Sequence, residues 1–334
     1  MILVTGGTGV IGMRLVDKLM ATGNRMRILT LPGDPAVEKM KQKDIDIFYG
    51  DITDVTSIKN VCRNVETVYH LAAIILSPLN TDLFWKINYQ GTKNLLQEAG
   101  RSGVDHFIYV SSASVTYPIT NEYAKSKKNA EELVVHSGIP HYTVVRPTLA
   151  YEDGGAAEIV HFINYLKKFP VIPFIGRGNA LKSPVFVEDI IDGLVNIHGN
   201  EKAYGSIYNF SGGEQLTLEE MAKRLLKHMG KKKLFIHLPI VICKVLAACS
   251  IMMSRLIRKQ PLLTYQTITG VTQHANLDNS KAVKDLNFHP RPFREGIKEL
   301  KAIKNCLVKP KVIFNDLNSK RYISHNAKSK LLNT

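Results

Sequence analysis

The first twelve residues, MILVTGGTGVIG, constrain the fold more than any other stretch of the chain. An apolar run breaks into glycines and resumes with helical spacing through Leu15, Leu19 and Met20, which reads as strand, turn and helix. Gly6, Gly9 and Gly12 follow a G-x-x-G-x-x-G spacing, a variant of the commoner G-x-G-x-x-G dinucleotide fingerprint that meets the same physical requirements. The first glycine permits a tight turn, the second lets a pyrophosphate approach the backbone, and the third lets the helix pack closely on the sheet. Free N–H groups at the helix start, around Val10 and Ile11, face the anion.

A chain of 334 residues with 45% hydrophobic content can bury a large core. Its net charge of +15 would suggest nucleic acid if it were spread evenly. It is not: Met221 to Lys259 holds ten Lys/Arg and no Asp/Glu, and Lys301 to Thr334 holds eight against Asp316 alone. The remainder is close to neutral, so a nucleic-acid role for the nucleotide-binding half has no support. Cys62, Cys243, Cys249 and Cys306 are scattered without metal-ligand or C-x-x-C spacing, so reduced thiols and no metal site are expected. Because Met1 opens the first strand directly, no leader is expected and the reading is cytoplasmic.

Met26 to Leu31 reads as a second strand, whose end is where an acid would bind the ribose of NAD or a base the extra phosphate of NADP. Leu31 does neither, and Asp34, in a turn with Pro32, Gly33 and Pro35, either reaches a ribose or only shapes the turn. Ile45 to Tyr49 is a third strand leading into Gly50, Asp51 and Ile52, a short helix ends near Arg63, and Thr67 to Leu71 is a fourth strand ending in Ala72 and Ala73. These small residues either leave room for a ligand along the sheet edge or simply pack. A helix from Asp82 to about Ser102 carries Asn88 and Gly91, and a fifth strand, His106 to Val110, runs into Ser111, Ser112, Ala113 and Ser114. Strands alternating with helices predict an α/β fold with a doubly wound parallel sheet, the Rossmann architecture.

Glu122 to His136 has helical periodicity and places Tyr123 and Lys127 one turn apart on one face. A free tyrosine, with a pKa of about 10, is a poor base near neutrality, and a nearby lysine ammonium stabilises the phenolate and lowers it. On a solvated helix the pair would carry no message. After a fifth strand tipped with serines it forms a proton relay for interconverting alcohol and carbonyl, with Ser112 holding the substrate oxygen.

Taken together, TGGTGVIG at the start, GDITD at Gly50 to Asp54, HLAA at His70 to Ala73, NYQGT at Asn88 to Thr92, VSSAS at Val110 to Ser114, YAKSK at Tyr123 to Lys127 and RPT at Arg146 to Thr148 resemble the extended short-chain dehydrogenase/reductase superfamily. The similarity covers about the first 150 residues and continues more weakly through PVFVED at Pro184 to Asp189 and DNSKAVKDLNFHPRP at Asp278 to Pro292. The resemblance implies that Gly6, Gly9, Ile11 and Gly12 hold the pyrophosphate, Asp51 and Ile52 the adenine, and Ala72 and Ala73 the ribose region. It also implies Ser112, Tyr123 and Lys127 as the catalytic residues, with Lys127 touching the nicotinamide ribose. Three departures stand out. Only about ten residues separate Ser112 from Tyr123, Glu152 replaces a usual glycine, and Arg146-Pro147-Thr148-Leu149 and Lys182-Ser183-Pro184 stand where nucleotide-sugar epimerases tend to carry R-Y-F-N and a diphosphate-binding arginine.

From Tyr151 the alternation becomes irregular, with helical patterns near Ile159 to Lys168, Glu188 to Ile197, Leu218 to Met229 and Phe293 to Ile303. The reading is a nucleotide-binding domain over 1–150, a mainly helical substrate lobe over 151–308 interleaved with it, and a basic tail over 309–334. An apolar run from Leu234 to Ser254 is long enough to be mistaken for a membrane span. On a helix starting after Pro239, however, Lys244, Arg255, Arg258 and Lys259 form one narrow stripe, so 234–259 either lies on a membrane surface or caps the substrate pocket. Here the resemblance is to dihydroflavonol reductase-like and hydroxysteroid dehydrogenase-like members. The function expected is an NAD(P)-dependent oxidoreductase moving a hydride to or from a carbonyl or secondary alcohol of a fairly apolar small molecule. A nucleotide-sugar epimerase or dehydratase with tightly bound NAD, and a non-catalytic dinucleotide-binding subunit, are the alternatives. The sequence leaves open NAD against NADP and whether the chain forms a homodimer.

Overall fold

The computed structural model describes residues 1–77, 80–152, 157–257 and 261–300. Six strands come from the N-terminal half: β1 (Ile2–Thr5), β2 (Met26–Thr30), β3 (Ile45–Tyr49), β4 (Thr67–His70), β5 (His106–Val110) and β6 (His141–Pro147). β1 and β4 are buried along their whole length, as central strands of a parallel sheet covered on both faces are. The seventh strand, Ser206–Phe210 (β11 below, after four short strands), pairs with β6, and the sheet order is β11-β6-β5-β4-β1-β2-β3, all parallel. The winding reverses between β1 and β4, so a crevice opens beyond their C-terminal ends, where ligands bind in such folds.

Helix α1 (Val10–Ala21) covers one sheet face through Leu15, Val16 and Leu19, packed in one core with Ile190, Leu194, Tyr208 and Phe210. The other face is covered by α3 (Thr92–Arg101) and α4 (Glu122–Val135), whose Leu95, Ala99, Ala130 and Val134 meet Phe107 and Val144. The single helix expected from Asp82 to Ser102 is broken into α2 (Asp82–Phe84), a π-helical stretch over Trp85–Gly91, and α3. The buried Asn88 lies within the wider turn, its side chain bonded to both backbone groups of Ile74. The short helix expected before Arg63 is absent: residues 51–64 form successive turns. Asn60 (φ 67°) and Asn64 (φ 61°) are left-handed there, and Arg27 captures the carbonyls of Val61 and Arg63 at 2.8 and 2.9 Å.

The elements after β6 are β7 (Ala150–Tyr151), α5 (Ala157–Lys168), β8 (Val171–Ile175), β9 (Leu181–Lys182), β10 (Val185–Phe186), α6 (Val187–Val195), β11, β12 (Leu216–Thr217), α7 (Leu218–His228), β13 (Leu234–Leu238), α8 (Ile240–Ile257), α9 (Tyr265–Thr272), α10 (Ser280–Leu286) and α11 (Phe293–Glu299); α6 and α10 pack with α1 and β11 in the core of the main sheet, and the others form a smaller lobe. The capping box Thr217/Glu220 starts α7. The apolar run beginning at Leu234 divides at Pro239 into β13, parallel to β8, and α8. A third core of Tyr151, Ile163, Leu166, Phe174, Leu225 and Phe293 fills this lobe. PVFVED and HPRP are one clamp in space: Asp189 accepts from the backbone N–H and Nε of Arg291 at 2.9 and 2.8 Å. Residues 309–334, read as a basic tail, lie outside the described residues.

Gly12 shows how tightly the opening turn is built, since a Cβ there would sit 2.1 Å from the Gly6 carbonyl oxygen and 2.8 Å from Gly7 Cα. Gly270, inside α9, has no heavy atom from other parts of the described residues within 4 Å of the corresponding position. Gly12→Ala is therefore expected to destabilise the protein by at least about 1–3 kcal/mol, whereas Gly270→Ala should stabilise it by roughly 0.5–1 kcal/mol. Chemical denaturation of both variants beside the wild type checks the pair.

Candidate active site

Each predicted site residue follows the C-terminal end of a parallel strand or lies on the helix after it, and the sheet thereby brings the set to one edge. Gly6, at φ +70°, turns the chain out of β1 with its Cα against the Ala72 backbone; an added Cβ would lie 2.8 Å from Ala72 N. Gly9 is the exposed N-cap of α1, with no side-chain cap and no acidic residue in the first turn, so the helix-start N–H groups of Val10, Ile11 and Gly12 meet no competing anion from that turn. This cradle fits a pyrophosphate. At the end of β2, Asp34 accepts hydrogen bonds from Thr8 Oγ1 of the glycine loop (2.9 Å), Thr30 Oγ1 (3.3 Å) and Ala36 N (3.0 Å). Its carboxylate thus stands at the edge where an adenosine ribose would enter. Asp51 holds the following turn through Thr53 N at 2.8 Å, and Ile52 is pinned by Asn94, which donates to its carbonyl at 2.9 Å.

Beneath this edge runs a buried relay that sequence reasoning did not assign. Thr92 Oγ1 donates to the Asn88 carbonyl at 2.6 Å, so it accepts from His70 Nε2 (2.9 Å), and His70 Nδ1 in turn accepts from Thr5 Oγ1 (2.6 Å). Thr5 Oγ1 accepts the Ala72 N–H at 3.2 Å. Burial pushes the His70 pKa down to about 3, assisted by the charge of Lys127, so the ring is neutral near pH 7. Asn88 bonds Ser126 Oγ at 3.1 Å, and Ser126 donates to the Tyr123 carbonyl at 2.8 Å. The motifs HLAA and NYQGT already held these residues, yet only their pairing in space reveals the relay.

Asn121 caps α4 by accepting from Ala124 N at 2.8 Å, which sets Tyr123 in the first turn with its ring edge-on to Phe84 at 5.9 Å. Lys127 is buried one turn on; its Nζ donates to the Val110 carbonyl at 2.7 Å and lies 4.2 Å from the centre of the Tyr109 ring. Burial pushes its pKa down to about 7, with Glu131 pulling the other way. Ser112 leaves the same strand, β5, in extended conformation and bonds Ser114 Oγ at 2.9 Å. The short rim between Ser112 and Tyr123 is held across the site: Ile119 N and O both pair with the Gln273 side chain at 2.8 Å.

The charged residues in the segments that depart from the nucleotide-sugar pattern have internal partners. Glu152, buried, is 2.5 Å from Arg14 of α1. Arg146 pairs with Glu131, which also accepts from Ser111 at 2.8 Å. Lys182 is buried and donates to the Gly270 carbonyl at 2.7 Å and to that of Gln273. Among the described residues no cluster of three or more His, Cys, Asp or Glu could hold a metal ion.

The model of the 3-beta hydroxysteroid dehydrogenase/isomerase family matches residues 3–197. A 3 beta-hydroxysteroid dehydrogenase/Delta 5-->4-isomerase of Mycobacterium tuberculosis is 27% identical over 266 residues, covering 69% of this chain and 70% of its own. A UDP-glucose 4-epimerase of Vibrio cholerae is 26% identical over 330 residues, 89% of this chain and 93% of its own. The crystal structure of a dTDP-glucose 4,6-dehydratase from Streptomyces venezuelae with NAD bound has a TM-score of 0.71 at 22% identity, over 92% of this chain and 97% of that one, which shows the fold.

With its pKa lowered to about 7, Lys127 is charged below that pH and neutral above it. The resemblance implies that Lys127 touches the nicotinamide ribose, and an ammonium donating there would favour the protonated form, so dinucleotide affinity should fall by up to about tenfold per unit as pH rises above neutrality. Lys127→Met should bind more weakly at low pH and lose this dependence. Calorimetric titration across the range, in buffers of different ionisation enthalpy, reads both affinity and proton uptake.

Proposed function

We propose, for a chain that belongs to the 3-beta hydroxysteroid dehydrogenase/isomerase family, an oxidoreductase acting on a carbonyl or secondary alcohol of a fairly apolar small molecule. Members of the extended short-chain dehydrogenase/reductase superfamily that resemble it are enzymes, and a nicotinamide dinucleotide is its cofactor. Bound at the glycine loop, that cofactor supplies a hydride donor or acceptor. The observation that carries the reading is the Tyr123/Lys127 pair, with the lysine buried against the carbonyl that ends β5. Tyr123 passes the proton to or from the substrate oxygen, Lys127 holds the ribose and stabilises the phenolate, and Ser112 Oγ hydrogen-bonds the same oxygen. Asp34 favours NAD, because a 2′-phosphate at the end of β2 would meet its carboxylate.

Two features support an apolar substrate over a nucleotide sugar. Ile75 and Leu76, just beyond β4, and Ile119 on the rim are exposed around the edge where Ser112 and Tyr123 lie. Lys182, in the region where a diphosphate-binding arginine stands in the epimerases, is turned to backbone carbonyls instead. The epimerase reading is favoured by the length of the match to the Vibrio enzyme, and it differs in releasing no reduced cofactor.

Turnover of a 3β-hydroxysteroid and of UDP-glucose, followed by cofactor absorbance and by product analysis, separates the two. Tyr123→Phe should bind NAD within about twofold of wild type and turn over roughly 10²- to 10⁴-fold more slowly. A variant with full activity would sink the mechanism, and tighter binding of NADP than NAD would remove Asp34 from it.

A further inference from the structure

Helix α8 is amphipathic the wrong way round for a helix that only packs on its own protein. The face turned to the lobe is a stripe of small residues, Cys243, Ala247, Ser250 and Ser254, with Cys243 and Ala247 in a small core with Ile268. It is fastened by Ser250 Oγ, which accepts from Leu262 N and Leu263 N at 2.9 and 3.2 Å. The large apolar side chains point outward: Val241 is 72% and Met252 69% exposed, with Val245, Leu246, Met253 and Ile257 also exposed. Leu234 and Ile236 of β13 and Leu262 add to this exposed apolar surface. A surface of this kind marks an interaction site. No helix among the described residues is long and apolar enough to cross a membrane.

Charge decides the occupant. No carboxylate occurs between Glu220 and Asp278, a stretch that holds ten Lys/Arg, and Lys231, Lys232 and Lys244 are exposed. A second copy docking through the same face would bring two such basic segments together, and nothing in the segment could neutralise them. We propose that α8 lies in the plane of an anionic lipid bilayer, its Val, Leu and Met side chains inserted among the acyl chains, with its Lys244 and the preceding Lys231 and Lys232 at the headgroups. The other side of the helix stays on the lobe.

The test is sedimentation of the full chain with phosphatidylcholine vesicles that contain or lack a phosphatidylserine fraction. Binding is expected only with the anionic vesicles, and should fall at least about tenfold as ionic strength rises from about 0.1 M to about 1 M, where the screening length shrinks from about 10 Å to about 3 Å. Val241→Glu/Val245→Glu/Met252→Glu, at exposed positions, should lose vesicle binding and keep NAD affinity, which also shows that it has folded. Absence of binding at low salt, or equal binding by the triple variant, overturns the proposal. So does light scattering that finds a wild-type dimer which the triple variant dissociates, because the covering surface would then be a second copy. None of these readouts depends on the assigned reaction.

Discussion

The site rests on a hydrogen-bonded chain that contains no charge. From the Ala72 N–H through Thr5, His70 and Thr92 to the Asn88 carbonyl, it ties the end of β1 to the end of β4 and both to the π-helical turn. Each of its side chains is fully buried, so each bond replaces a costly orphan rather than a solvated group. Removing the imidazole would leave the Thr5 hydroxyl without an acceptor for its proton, at about 1–3 kcal/mol, more than the net worth of the bond itself, while Thr92 would keep its bond to the Asn88 carbonyl. The glycine turn, the Ala72 backbone against which Gly6 closes and the Asn88 side chain that reaches Ser126 inherit their positions from this chain.

Much of this arrangement was legible in the residues, for a physical reason. A parallel sheet buries its strands on both faces, so β1 appears as an apolar run and β2, β4 and β5 as largely apolar ones, and the candidate site falls on the polar or small residues that end them. Gly6, Asp51, Ala72 and Ser112 could be placed that way because the strand ends and the edge of the candidate site coincide. What could not be read depends on distance in space. A helical periodicity over 82–102 gave no hint of the π turn, which exists because Asn88 bonds Ile74, fourteen positions earlier. The turns before Arg63 replace a helix because Arg27, from another strand, takes their carbonyls. Likewise β13 hides in an apolar run until its partner β8 is known, and Asp34 acquires a place only through Thr8.

The residues that depart from the nucleotide-sugar pattern share a logic. Glu152 stands where a glycine is usual and Lys182 lies in the segment where nucleotide-sugar epimerases tend to carry a diphosphate-binding arginine, while Arg146 opens the R-P-T-L that replaces R-Y-F-N; in each case a group of this chain answers the charge. Arg14 carries the glycine-loop helix onto β7, Glu131 carries α4 onto β6, and the carbonyls at the end of α9 bring that helix under the rim through Gln273. These charges serve as fasteners between elements. Such pairs add little net stability when compared with apolar replacements, but losing one partner alone leaves a buried charge, so they fix geometry strongly.

The sheet order has a consequence for how the chain is made. β6 ends at Pro147, yet its outer neighbour β11 begins at Ser206, so the nucleotide-binding sheet stays open on that side while the intervening residues are synthesised. At about 5–20 residues per second this lasts roughly 3–12 s, during which the backbone groups along Thr143 to Pro147, the stretch that later pairs with β11, offer a strand edge to any other nascent chain. Placing the closing strand so late in the sequence makes the birth of this protein, more than its folded state, the moment at which it is most exposed to misassociation.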